Sequence, residues 1–259
     1  MVIIMKKFLK SVAICLGLMI LNQLIIGLAS DIGAIFIKDV NKIGEYIYIF
    51  AFIGDLITLI LVYLVCSIFN IKLPNKSVLK KINLKEIVYI ILFGVGFSII
   101  LLNLTGMLTK LIPSYTNVQN QLKHTNNSIL QLFIVIILIP ICEELIYRRL
   151  IFSYLKENYN IVGATIIQAL LFGIAHGNIV QGIYTFILGI ALALLYIYCN
   201  SLWGSIILHI IFNFIGLVII PKVVAINPIL ISLLFILGIA CLLLSLFKFM
   251  KKYEHILYN

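Results

Sequence analysis

Apolar residues fill this chain in long uncharged blocks, broken by short clusters of Lys, Asn, Ser and Pro. Blocks of about 20 residues are long enough for a helix to cross a bilayer. The pattern predicts about eight spans: Phe8–Leu28, Tyr46–Phe69, Glu86–Ile112, Ile129–Leu155, Asn160–His176, Ile179–Cys199, Leu202–Ile220 and Pro228–Phe247. The fifth is the shortest. No two-residue alternation of the barrel type occurs. The expected fold is therefore all-α, a polytopic helical bundle forming one membrane domain over residues 1–259.

Composition fits the pattern. Of 259 residues, 63% are hydrophobic and 11% charged, against about a quarter charged in a soluble domain. The charge asymmetry then gives an orientation, because Lys and Arg near span ends stay cytoplasmic. With the N-terminus inside, that side collects Lys6, Lys7, Lys10, Lys72, Lys76, Lys80, Lys81, Lys85, Arg148, Arg149, Lys156, Lys248, Lys251 and Lys252. Lys38, Lys42, Lys110, Lys123 and Lys222 fall on the other side. Both termini are expected in the cytoplasm of a cell-membrane protein. The net charge of +10 is explained by orientation and anionic headgroups, so no nucleic-acid partner is implied.

Other features change little. The basic, apolar start has the look of a signal peptide, but an uncleaved first span suits an even helix count. Cys15, Cys66, Cys142, Cys199 and Cys241 lie scattered in apolar runs without a CxxC pair, as small buried hydrophobes do. The stretch "IKLPNKSVLKKINLKEI" suits a loop or a surface-lying amphipathic segment.

Ionisable groups inside spans are costly and mark function or a structural partner. Three clusters stand out: Glu143, Glu144, Arg148 and Arg149 in "ICEELIYRR"; Phe172 and His176 in "FGIAH"; His209 and Asn213 in "HIIFN". Asp55 is the main other acid within a span. On a helix, residues four apart share a face, whereas adjacent ones point about 100° apart. Glu144 and Arg148 thus suit an ion pair with the acid N-terminal to the base, and Arg149 suits an interfacial anchor. Glu143 is left facing elsewhere, over Tyr147. Phe172 can wall His176, and His209 shares a face with Asn213. A hairpin turning at "KENYN" brings Glu143 and His176, 33 residues apart, to one depth.

A carboxylate, two imidazoles and an amide from three helices form a water-activating set. The carboxylate takes the proton; the second imidazole and the amide steady a developing oxyanion. His209 would lie about 10 Å up its helix at 1.5 Å per residue, so the hairpin must protrude or the sixth helix be short or tilted. Plainer roles exist for each residue. A lone histidine can be packing, Asn213 can be helix–helix glue, and Gly173, Gly177, Gly182, Gly189 and Gly204 can permit close packing. Cys142 as nucleophile would leave Glu143 idle.

The set "EELIYR", "FGIAH" and "HIIFN" resembles EExxxR, FxxxH and HxxxN, the motifs of the CPBP family of CAAX proteases and bacteriocin-processing enzymes, also called the Abi family. The resemblance covers residues 129–216, the expected catalytic core helices. It implies intramembrane endoproteolysis of a peptide or membrane-protein substrate, in peptide or bacteriocin processing or self-immunity. Glu143 with His176 would activate water, His209 and Asn213 would hold the oxyanion, and Glu144, Arg148 and Phe172 would support them. No cofactor is favoured. Zinc on Glu143, His176 and His209 is the other mechanism the family's descriptions carry, although the soluble HExxH signature is missing and Asn213 is a poor zinc ligand. From other classes, a non-catalytic membrane scaffold regulating a sensor kinase would not need the four motif residues together. A transporter lacks the repeated broken helices expected of it.

Overall fold

The computed structural model describes residues 2–37, 43–72, 79–112, 115–125, 128–227 and 229–257. Lys38, Lys42, Lys76 and Pro228 lie outside them. Among the described residues there are nine helices and no strands: α1 Val2–Phe36, α2 Ile43–Ile68, α3 Leu84–Leu111, α4 Thr116–Thr125, α5 Ile129–Asn158, α6 Ile161–Ala175, α7 Ile179–Cys199, α8 Leu202–Ile226 and α9 Leu230–Leu257. Seven of them are long and apolar enough to cross a membrane, and α6 is a shorter apolar helix. The seven fall at seven of the eight expected spans, and α6 lies at the fifth. The polar α4 is an addition, and no surface helix forms among the described residues of the Lys-rich stretch before α3. Large apolar side chains point outward along the rim, such as Leu24 and Leu243, both 61% exposed, and Phe247 at 71%. That surface suits hydrocarbon, where backbone groups must be satisfied within the helix. The chain is a multi-pass membrane protein.

Side chains at the helix starts set the breaks between spans. Asn83, Ser128, Asn160, Asn178 and Ser201 each accept a hydrogen bond from a backbone N–H in the first turn of the helix that follows, as N-caps do. The α6–α7 turn needs Gly177, whose φ of 67° lies in the left-handed region. A Cβ there would meet open space, so this glycine serves the turn and not close packing as expected. The other four do approach a neighbour. A Cβ on Gly173 would lie 2.7 Å from the Gly182 carbonyl oxygen, and one on Gly189 3.0 Å from Ala169 Cα. α6 and α7 therefore run antiparallel with backbones nearly touching, as small residues allow in membranes.

The fully buried large side chains cluster on α5 to α8: Ile146, Tyr147, Arg148, Phe152, Phe172, Leu188, Leu192, Leu202 and Leu208. α1 pairs with α2, and α9 with α3, around this centre. α5 is not a uniform α-helix. Residues Ile134–Leu138 and Leu145–Phe152 are π-helical, separated by Ile139–Glu144. The first π turn has a cause. Pro140 has no N–H and its ring would press on the carbonyl four residues back; a widened turn relieves the clash. Pro221 in α8 follows the π turn Ile215–Ile219 in the same way. Such turns are frequent at functional sites.

Candidate active site

The two adjacent acids of α5 do separate. Glu144 is fully buried and its Oε1 lies 2.9 Å from Arg148 Nη1, both side chains sealed from solvent. The same oxygen lies 2.9 Å from His209 Nδ1 of α8. Arg148 also donates from Nη2 to the Gly189 carbonyl of α7 at 3.4 Å, and its guanidinium lies over the Phe172 ring, 4.5 Å from the centroid. Gln168 Nε2 donates to the same carbonyl at 2.9 Å. The clamp thus joins α5, α6, α7 and α8 through two charges that neutralise each other. Arg149 turns away, its guanidinium 5.6 Å from the Tyr63 ring of α2.

Glu143 points along another face. Its Oε2 lies 3.5 Å from His209 Nε2, and its side chain keeps 19% exposure. His209 therefore sits between the two glutamates, one nitrogen on each. A carboxylate can only accept when ionised, so the Glu144 contact places a hydrogen on Nδ1 and directs Nε2 at Glu143. His176 closes α6. Its Nδ1 lies 2.8 Å from the Phe172 carbonyl, which again can only accept, so Nδ1 carries the hydrogen and Nε2 is the free base. The Phe172 ring meets both imidazoles edge-on, with centroids 5.0 Å from His176 and 5.8 Å from His209. Tyr147 meets the same ring at 4.9 Å.

Glu143 and His176 line one cavity of about 170 Å³, together with Tyr147 and Ile139 of α5, Ala175 of α6, Asn22, Gln23 and Ile26 of α1, and Ala51 and Asp55 of α2. His209 and Asn213 are not among its lining residues. Asn213 has a different partner from the one expected: its Nδ2 donates to the Val135 carbonyl at 2.9 Å. The π turn explains this. Ile139 N–H bonds to Ile134 O, so the next donor in that register, for Val135 O, would be the nitrogen of Pro140, which has no hydrogen. Asn213 supplies the missing donor. One of its two amide hydrogens is thereby committed.

The depth expected of His209 is not recovered by a short sixth helix, since α7 has 21 residues; Phe172, one turn before His176, bridges the two rings instead. Among the described residues no three His, Cys, Asp or Glu side chains are grouped to hold a metal. Phe172 packs against both imidazoles, and His209 Nε2 is aimed at Glu143. All five cysteines are free thiols, with Cys15 and Cys142 buried.

Two groups at the cavity went unread. Asn22 and Gln23 sit as "NQ" inside the first apolar run, an amide pair where hydrocarbon gives no partner. Asn22 Nδ2 donates to Asp55 Oδ1 at 2.8 Å and to Thr58 Oγ1 at 3.2 Å. Asp55 is legible as an acid within a span, but nothing in its helix names the site it faces.

Residues 125–215 match the family model described as type II CAAX prenyl endopeptidase Rce1-like. The chain is also similar to the Bacillus subtilis (strain 168) protein named "Putative membrane peptidase YdiL", 34% identical over 74 residues. That stretch is 29% of this chain and 30% of the relative, so the similarity spans under a third of either protein. No solved structure matches.

Proposed function

We propose, from the match of residues 125–215 to the Rce1-like type II CAAX prenyl endopeptidase model, that this chain is an intramembrane endopeptidase using a glutamate-activated water. The observation that carries the reading is Glu143. Among the described residues it is the one acid that both faces a histidine nitrogen, at 3.5 Å, and shares a cavity with a second histidine. Water held between Glu143 and His176 Nε2 gives its proton to the carboxylate as its oxygen attacks the peptide carbonyl. His209, when its ring carries a hydrogen on both nitrogens, donates from Nε2 while Nδ1 is held by Glu144, and with the remaining amide hydrogen of Asn213 it steadies the negative oxygen. Collapse of the tetrahedral species breaks the C–N bond, and the proton on Glu143 passes to the leaving amine. Glu144, Arg148 and Phe172 position the set without touching substrate. No step is routed through zinc. The substrate is a peptide or membrane protein presented from the bilayer, in peptide or bacteriocin processing or self-immunity, with residues 129–216 as the catalytic core.

The test is cleavage of a peptide library by the full-length protein in detergent or nanodiscs. Glu143→Ala is expected to lower kcat/KM by about 10²- to 10⁴-fold, the usual weight of a general base, with the melting temperature retained. A chelator is expected to leave turnover unchanged. Full activity of Glu143→Ala would end the reading. Stoichiometric zinc whose removal stops turnover would replace the mechanism and keep the site.

A further inference from the structure

The mechanism above leaves one charged group of the cavity without a task. Asp55 is 3% exposed in the middle of α2, and its recorded hydrogen bond is the one from Asn22 Nδ2, at 2.8 Å. Thr58 does not help it, since the Thr58 hydroxyl donates to the Gly54 carbonyl at 2.9 Å. Among the described residues, no Lys or Arg lines the cavity. The nearest buried cation along α5, Arg148, is occupied by Glu144, Gly189 and Phe172, and Arg149 lies against Tyr63. Among the described residues, no ion pair involves Asp55.

A second observation comes from the opposite wall. Tyr147 is 2% exposed, lines the same cavity, and its hydroxyl has no hydrogen-bond partner. Buried polar atoms are rarely left so, and each asks for an explanation. Glu143 already faces His209, so Asp55 and the Tyr147 oxygen are the two groups of this void that lack a basic partner. A carboxylate in surroundings this apolar is costly unless paired. A group that meets both is compact and positive, with several N–H donors. That describes a primary ammonium.

We propose that the cavity between α1, α2, α5 and the end of α6 is a subsite for a primary ammonium group of the substrate, either a lysine side chain or a free amino terminus, with Asp55 as its counter-ion. This rests on the endopeptidase reading and narrows it: the scissile bond lies within a few residues of a positive charge. Asn22 fixes the Asp55 carboxylate, and Tyr147 accepts one of the ammonium hydrogens. The bond broken is still the one beside Glu143.

The experiment uses the full-length protein and matched peptides that differ at the residues flanking the cleaved bond, with Lys, norleucine, Gln or Glu at each. A free and an acetylated amino terminus separate the two sources of ammonium. The wild type is expected to favour Lys, or the free amine, over its neutral counterpart by about tenfold in kcat/KM, an ordinary weight for a desolvated charge pair. Asp55→Asn keeps the shape and the Asn22 contact, and should bring that ratio to about one while neutral peptides are cleaved within about threefold of wild type. A wild type without preference overturns the proposal. So does an Asp55→Asn protein that slows every peptide alike, because Asp55 would then only hold α1 to α2. If the wild type cleaves no peptide at all, the endopeptidase reading has failed. The subsite is then decided by fluorescence anisotropy of the labelled peptides with Glu143→Ala, with and without Asp55→Asn. Tighter binding of the Lys or free-amine peptide that Asp55→Asn removes keeps the ammonium site, and equal binding discards it.

Discussion

Arg148 shows how a single residue can hold a site it does not enter. It is sealed from solvent with Glu144, 2.9 Å away, and reaches α7 through Gly189 and α6 through Phe172. Removing one partner leaves the other charge buried alone, which costs about 3–5 kcal/mol. Arg148→Met is therefore expected to unfold well below wild type in a detergent melt. Adding Glu144→Leu should restore much of the loss, because both charges are then gone. The recovery is incomplete in a particular way: His209 Nδ1 loses its acceptor, so the double variant regains stability but not the orientation of Nε2 toward Glu143. A double variant as unstable as Arg148→Met would mean that the clamp acts by shape alone. The pair itself was legible, since four-residue spacing on a helix puts acid and base together. The third member was not. His209 lies 65 residues from Glu144 in sequence, and no local pattern encodes which of two adjacent glutamates a distant imidazole will meet. Here it meets both. Asn22 was hidden for the same reason, its partner being 33 residues away on α2.

The elements were easier to read than their internal geometry. Hydropathy marks the spans because hydrocarbon imposes length and apolarity on any helix within it. It says nothing of α4, Thr116–Thr125, whose sequence "TNVQNQLKHT" has only Val118 and Leu122 as large apolar residues. Nor does it show the π turns, where the register of the backbone slips by one residue with no matching change in hydropathy at Ile134–Leu138 and Ile215–Ile219. Pro140 and Pro221 are the traces such turns leave in sequence. The first of them explains Asn213 better than its place in a motif does. The π register would give Val135 O the nitrogen of Pro140, which has no hydrogen, and Asn213 Nδ2 donates there instead. Asn213→Ala is expected to cost about 1–3 kcal/mol, the penalty of an unsatisfied buried acceptor. In a Pro140→Ala background the new N–H can serve α5 itself, and the same substitution should then cost less by about 1 kcal/mol or more. A double-mutant cycle on thermal or denaturant unfolding measures that coupling. Additive losses would show that Asn213 does not stand in for the proline's missing hydrogen.

For the molecule as a whole, α6 decides the topology. Its 15 residues rise only about 22 Å, against a hydrocarbon core of about 30 Å. Taken alone it could dip into the bilayer and return. Its pairing with α7 argues otherwise. Gly173 faces Gly182, and Ala169 faces Gly189, a register that carries Ile161 level with about residue 197 near the end of α7. α7 is a full span of 21 residues, so α6 with the Gly177 turn covers the same thickness that α7 retraces. We propose eight crossings with both termini on one side, which the Lys and Arg distribution would make the cytoplasm. Green fluorescent protein fused at either terminus should fluoresce, and alkaline phosphatase at either should be silent. Phosphatase inserted between α1 and α2 should be active, because that connection lies across one span from the N-terminus. Active phosphatase at the C-terminus alone would make the number of crossings odd. It would leave α6 as a re-entrant helix that carries His176 into the bilayer and back out on the side it entered.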